Sequence, residues 1–405
     1  VRADAAAADF PRGLVRPDLQ NFTGYSSARM SAPATTAAPT RIWLNANEAA
    51  GASGADPEGS SRRYPDPQPP PLLTALADLW STTEDRVVVG RGSDELIELV
   101  VRSVCRPGQD GVVVASPTFG MYAVSARLHG VPVTDVPQAE DGLRWRVDTR
   151  AMAEATLRTG SRAVFVATPG NPTGSVVPLA QLAELADAVA RQAVLVVDEA
   201  YGEFAAQRSA ATLLEEHPNV VVLRTLSKAH ALAGARVGFA LAHPDLATVL
   251  RRVQAPYPVP VPVRDLALAA LAPRALEATR QRVGLTLRLR DELGRFLRDL
   301  PGVRAVYASE ANFFLVRSDD PARLLRVLDA AGIAVRDFRA SPGLEDALRI
   351  TVGSEPEMAA LRQALSTPEG TPAPPSGPAS GPASGPARGA TPVPHPSAPA
   401  EENPA

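Results

Sequence analysis

Lysine is almost absent from this chain: of 41 basic residues only Lys228 is a lysine, and the other 40 are arginines. Cysteine is as scarce. Cys105 stands alone, so no disulfide can form within the chain, and a cytoplasmic setting is expected. No uninterrupted apolar run is long enough to span a bilayer, so no membrane association is expected. A basic excess is also missing: the net charge is −3 over 405 residues, whereas a nucleic-acid binder normally carries a strong positive balance. The opening stretch VRADAAAADFPRGLVRPD is Ala-rich but broken by acids and prolines, which makes a poor signal peptide. What is present, 45% hydrophobic and 21% charged, suffices for one large core or two moderate ones.

The missing lysines give weight to the one that remains. Surface charge tolerates Arg or Lys, and a bias toward Arg can erase lysine nearly everywhere. It cannot erase a lysine whose neutral amine must add to an aldehyde, because guanidinium stays protonated and is a poor nucleophile. The bland alternative is a surface charge that survived by drift, and the surroundings of Lys228 decide between the two.

Residues 1–40 read as an arm with little pattern, and 41–71 as a Gly/Pro/Ser/Asn-rich link. From 72 to 260, short β-branched runs alternate with helix-like segments. The runs are VVVG (87–90), GVVVA (111–115), AVFVAT (163–168), AVLVVDEA (193–200) and NVVVLRT (219–225). Between them lie segments such as DELIELVVRSV and LAQLAELADAVARQ. This alternation predicts a large α/β domain with a mainly parallel sheet flanked by helices. A long helical stretch from Arg264 to Leu300, followed by VRAVYAS, NFFLVR, PARLLRVLDAAG and ALRITVG, predicts a smaller α+β domain over 261–366. From 367 to 405 the chain collapses into Pro, Ala, Gly and Ser, with SGPA repeated, and a disordered tail is expected.

A lysine kept for an aldehyde points to pyridoxal 5'-phosphate, and that cofactor makes five demands. Lys228, in TLSKAHALAGARVGF, supplies the amine for an imine and afterwards a proton carrier. It follows a strand end, the edge where parallel sheets bind ligands. Asp198, closing VLVVD, is the carboxylate for the pyridine nitrogen; burying it there calls for a cationic partner. Asn171 in TPGNPTG and Tyr201 in DEAY offer donors to the ring oxygen. Ser93 and Asp94 in GRGSDE open a helix whose free N–H groups suit a phosphate, and Ser227 and Arg236 add a hydroxyl and a charge. Phe119 in SPTFGMY is the aromatic face for the ring. Each has an ordinary reading: a capping Asp, a turn at NPTG, a core phenylalanine. The run VVVGRGSDE also resembles a dinucleotide fingerprint, but Glu95 stands where the third glycine belongs. No metal site is expected.

Taken together, VRPDLQNFTGYSSAR, LNANE, RYPDPQ, GRGSDELIELVVRSVCRPG, PTFGMY, NPTG, VVDEAYGEF, TLSKAHALAGARVGF and LRITVG resemble the class I/II aminotransferases. These are fold-type I pyridoxal-phosphate enzymes, and within the group the likeness is to the histidinol-phosphate aminotransferases, from about Leu14 to Leu365. The resemblance implies that Lys228 carries the cofactor, with Asp198 on its ring nitrogen and Asn171 and Tyr201 on its phenolic oxygen. Ser93, Asp94, Ser227 and Arg236 would line its phosphate. It also implies a homodimer in which Tyr64 reaches the partner subunit's phosphate site and Tyr25 the partner subunit's substrate. Arg349 of LRITVG, assisted by Arg336, would take the substrate anion, since a planar guanidinium pairs with a carboxylate or a phosphate. The implied reaction moves an amino group between L-histidinol phosphate and 2-oxoglutarate, with the freed Lys228 amine removing the α-proton. The sequence departs from the family at Gly170, at Ala49-Ala50-Gly51 after LNANE, at His230, and at Phe119, where a tyrosine is usual. Cofactor motifs do not separate this activity from an aminotransferase of aromatic or other amino acids, or from a decarboxylase of a phosphorylated substrate.

Overall fold

The computed structural model describes residues 11–25 and 44–367. The tail expected to be disordered, past Thr367, and the arm before Pro11 and over 26–43 lie outside the described residues.

Among the described residues nine strands precede the small sheet: β1 (Val87–Gly90), β2 (Val112–Val114), β3 (Val133–Asp135), β4 (Ala139–Asp141), β5 (Arg144–Arg146), β6 (Ala163–Ala167), β7 (Val194–Asp198), β8 (Val220–Thr225) and β9 (Gly238–Ala242). Seven form one sheet in the order β1-β9-β8-β7-β6-β2-β3, while β4 and β5 make a separate hairpin. The five runs read as strands all take part. Strand β9 is the exception to parallel order, pairing antiparallel with both β1 and β8. The reason is local: the link from Thr225 to Gly238 turns straight back, without the crossover helix that a parallel pair needs. Lys228 therefore stays on the rim where β8 ends.

Helices cover both faces, so the central strands are apolar on both sides. Leu72 and Leu76 of the helix Pro70–Leu79 and Leu182 and Leu185 of Leu179–Val189 pack with Leu195 and Val197 on one face. Leu96, Leu99 and Val100 of Gly92–Val104 and Leu246 and Leu250 of Pro244–Val253 pack with Val194 and Val196 on the other. Alternation along β7 then sends Asp198 to one face and Glu199, the next residue, to the opposite one.

The second sheet is antiparallel throughout, in the order β10 (Val303–Val306), β11 (Phe313–Ser318), β13 (Ala347–Thr351), β12 (Arg336–Asp337). Its Phe314, Val316 and Ile350 pack against Leu289, Leu293 and Leu297 of the helix Pro273–Arg298. The single helix expected over Arg264–Leu300 is in fact two, Val261–Leu271 and Pro273–Arg298. Ala272 between them is extended (ψ 147°), because a residue before proline is pushed out of the α region and Pro273 opens a new helix. Among the described residues no helix is long and apolar enough to cross a membrane.

Candidate active site

The ends of β6, β7 and β8 and the start of the helix after β1 lie on one rim of the large sheet. There the fold collects residues far apart in sequence. Asp198 closes β7 and is only 4% exposed. Among the described residues no lysine, arginine or histidine pairs with it. The Tyr122 hydroxyl donates to its Oδ2 at 2.8 Å, and the Ala200 amide donates to its Oδ1 at 3.0 Å. Burial raises the proton affinity of Asp198, against the pull of these two donors. The cation expected beside it is therefore not a side chain. A buried carboxylate left without its counter-charge fits a ligand that brings a positive nitrogen.

Lys228 stands exposed at the open mouth of this rim, with Nζ 5.4 Å from the centre of the Tyr201 ring. Loss of hydration chiefly, and the neighbouring charges of Arg349 and Arg236, lower its proton affinity; Asp94 and Asp198 oppose them. The shift favours the neutral amine that an aldehyde requires. The Tyr201 phenol is pushed up to about 12 by burial, so it stays a proton donor. Its ring meets Phe313 edge-on at 5.1 Å.

The phosphate candidates also converge. Arg236 sits in the left-handed region (φ 55°) and points one nitrogen at Asp94 Oδ2, 3.0 Å away, and the other toward Ser227 Oγ at 3.4 Å. Gly92 opens the helix with φ 78°, and a Cβ there would lie 2.6 Å from the Arg236 guanidinium. A Cβ on Gly238 would lie 2.5 Å from the Ser93 nitrogen. Two glycines thus let the arginine, the hydroxyl and the helix start approach one another, a cradle suited to a phosphate. Glu95, which breaks the dinucleotide pattern, is buried and accepts from the Arg91 amide at 2.7 Å.

On the far side, Arg349 of β13 reaches across to donate to Asn171 Oδ1. Its guanidinium lies 5.1 Å from the Phe313 ring centre and 5.8 Å from that of Phe338. Its Nε is buried without a partner. Arg336 is its register partner on β12, exposed and 5.9 Å from the Phe338 ring centre. The two guanidinium groups lie close enough to repel each other, and Arg349 also acts on the lysine. Phe119 is half-buried and meets Tyr122 edge-on, with centroids 5.7 Å apart. Tyr64 and Tyr25 are not brought to this rim as part of the set: Tyr64 is 48% exposed and stacks on Tyr257 at 4.7 Å, and Tyr25 is 65% exposed.

Sequence reasoning missed Tyr122, although it lies in the PTFGMY segment; the donor Asp198 needed was the available signal. It also missed the support behind the rim. Arg224 of β8 is buried, bonded to Glu199 at 2.7 Å and Glu203 at 2.6 Å, with Trp80 4.5 Å from its carbon. An arginine inside the apolar run VVVLRT was the signal, since it must be paired to be buried.

The chain is similar to known proteins over most of its length. The family model for aminotransferase class I and II matches residues 26–365. The chain is 51% identical over 355 residues to a histidinol-phosphate aminotransferase of Stenotrophomonas maltophilia, covering 87% of this chain and 96% of that one. It is 47% identical to the histidinol-phosphate aminotransferase of Xylella fastidiosa, covering 88% and 97%. A crystal structure of histidinol-phosphate aminotransferase from Sinorhizobium meliloti in complex with pyridoxal-5'-phosphate superimposes with a TM-score of 0.68. It is 29% identical, with 79% of this chain and 88% of that one covered.

Proposed function

The chain belongs to the class I and II aminotransferases, and on that premise we propose that it exchanges an amino group between L-histidinol phosphate and 2-oxoglutarate in histidine biosynthesis. Pyridoxal phosphate, when bound, supplies the aldehyde that takes the amino group and the electron-poor ring that stabilises the carbanion. The chain's own residues do the rest. Lys228 would hold the cofactor through its amine, and the same amine is the group that would carry the α-proton. Asp198 holds the pyridine nitrogen. Asn171 and Tyr201 would donate to the ring oxygen, and Phe119 would supply the aromatic face. Ser93, Asp94, Ser227 and Arg236 would line the phosphate, Asp94 through its backbone N–H at the helix start while its carboxylate holds Arg236. Arg349, with Arg336 beside it, takes the carboxylate of glutamate or the phosphate of the other substrate, which a guanidinium fork accepts alike. The exposed Tyr64 and Tyr25 belong to the same reading, as residues that complete the partner subunit's site in a cytoplasmic homodimer.

One observation carries the proposal. The only lysine in the chain stands on the same rim as a buried carboxylate with no cationic partner among the described residues. The test is direct. Purified protein with added pyridoxal phosphate should develop the visible band of a lysine-bound cofactor and turn over L-histidinol phosphate faster than phenylalanine or tyrosine with 2-oxoglutarate. Lys228→Ala should lose both band and turnover. Near-normal rates in that variant, or a preference for the aromatic amino acids, would overturn the assignment.

A further inference from the structure

The two donors to Asp198 restrain it differently. The Ala200 amide is fixed by the backbone, and it takes Oδ1. The Tyr122 hydroxyl comes from a helix of another segment and takes Oδ2 at 2.8 Å. With one donor on each oxygen, the carboxylate cannot turn without breaking a bond, and each oxygen keeps a further lone pair for a ligand. Tyr122 is itself held. Its side chain is fully buried, its ring is stacked on Phe165 with centroids 4.9 Å apart and planes 15° apart, and Phe119 meets it edge-on. The stacking fixes the ring plane and so the direction of the hydroxyl. A phenol buried this deeply needs an acceptor, and among the described residues Asp198 provides it.

We infer that Tyr122 is a positioning residue for the cofactor, orienting Asp198 toward the pyridine nitrogen and keeping the proton of that contact on the nitrogen. The inference rests on the pyridoxal-phosphate reading above. A carboxylate that already accepts a second hydrogen bond is the weaker base, so the shared proton stays with the ring. Without the hydroxyl, the proton moves toward Asp198 and the ring draws electrons less strongly. Burial works in the same unhelpful direction, raising the proton affinity of Asp198, and the Tyr122 bond is the largest influence holding it down.

Tyr122→Phe removes one oxygen and leaves the stacked ring in place. In the full chain loaded with pyridoxal phosphate, the pH midpoint of the visible band should rise by about one unit, because a neutral ring no longer repels the proton on the neighbouring lysine nitrogen. The cofactor should dissociate roughly tenfold more readily, as expected for loss of a hydrogen bond to a charged group. Turnover should fall about tenfold with the KM of both substrates nearly unchanged. A 3-fluorotyrosine at position 122 keeps the fold and donates more strongly, and should move the midpoint down. A Tyr122→Phe protein with the wild-type midpoint and wild-type cofactor retention overturns the inference. So does one that only melts earlier, with and without cofactor. A wild-type chain that never gains the visible band overturns the underlying reading instead.

Discussion

Asp198 and Glu199 are neighbours in sequence, both carboxylates, both buried at the end of one strand, and they are treated in opposite ways. Glu199 is saturated. It accepts from Arg224 at 2.7 Å, from the Ser209 hydroxyl at 2.5 Å and from the Ala210 amide at 2.6 Å. Asp198 has two neutral donors and no cation among the described residues. The two arginines that face these regions divide the same way. Arg224 is clamped between two carboxylates over Trp80, while Arg349 has no carboxylate partner among the described residues and one bond to the neutral amide of Asn171. A charge that serves the fold has its counter-charge built in. A charge that serves chemistry is buried and left incomplete, and the ligand completes it.

The sharpest way to break this contrast is to exchange the roles of the two carboxylates. Asp198→Asn should lower turnover on the order of 10²–10³-fold, the scale of removing one electrostatic contact to the reacting system. Its melting temperature without cofactor should hold or rise, because a buried charge lacking a partner is removed. Glu199→Ala should do the reverse, costing about 3 kcal/mol of stability by leaving Arg224 half-paired in the interior. Urea melts and steady-state rates on the two proteins decide it. A collapse of stability in Asp198→Asn would mean that Asp198 is structural as well.

The arginines sharpen the contrast at a lower level. Arg349→Lys keeps the charge and loses the planar fork, and should raise the KM for the amino donor roughly tenfold or more, with little change in melting temperature. Arg224→Lys should lower the melting temperature and leave KM near wild type. Equal effects on KM from the two would remove the distinction.

How much of this was legible beforehand differs between the two regions. Lys228 stood out because the rest of the chain has no lysine, and Asp198 because a carboxylate closed an apolar run. Strands β1, β2, β6, β7 and β8 were visible as β-branched runs, since burial on both faces leaves no room for polar alternation. The reversal of β9 was not, because GFALA carries no sign of its direction; the shortness of its link to β8 decides that. The Arg349–Asn171 bond joins residues 178 positions apart, across two sheets, which local patterns do not report. Tyr122 is not legible because PTFGMY is read only for an aromatic face, the role given to Phe119, and nothing in the segment says that a hydroxyl from it meets Asp198. The helix Met121–Leu128 carries the Tyr122 hydroxyl to Asp198, whereas Phe119 precedes the helix. The break at Pro273 was readable from proline geometry alone.

The smallest effect is expected at His230, on the saturated side. Its Nε2 lies 3.8 Å from Glu203 Oε1, and its Nδ1 is buried without a partner. Burial, with Arg224 and Arg282 nearby, lowers its proton affinity against the opposing pull of Glu203, so the ring is neutral near pH 7. The unfolded chain, with histidine at its ordinary value, takes up a proton more readily than the folded one. Stability present above that value is therefore lost as pH falls through the folded one. His230→Phe removes this linkage and an unpartnered buried nitrogen together. The variant should match wild type in turnover and differ by less than about 1 kcal/mol in stability at pH 7. Below pH 6 it should lose less stability than wild type, measured by urea midpoints over a pH series. Parallel pH profiles for the two proteins would show that the cluster around Arg224 absorbs the imidazolium, and that the saturated side has room for one more charge after all.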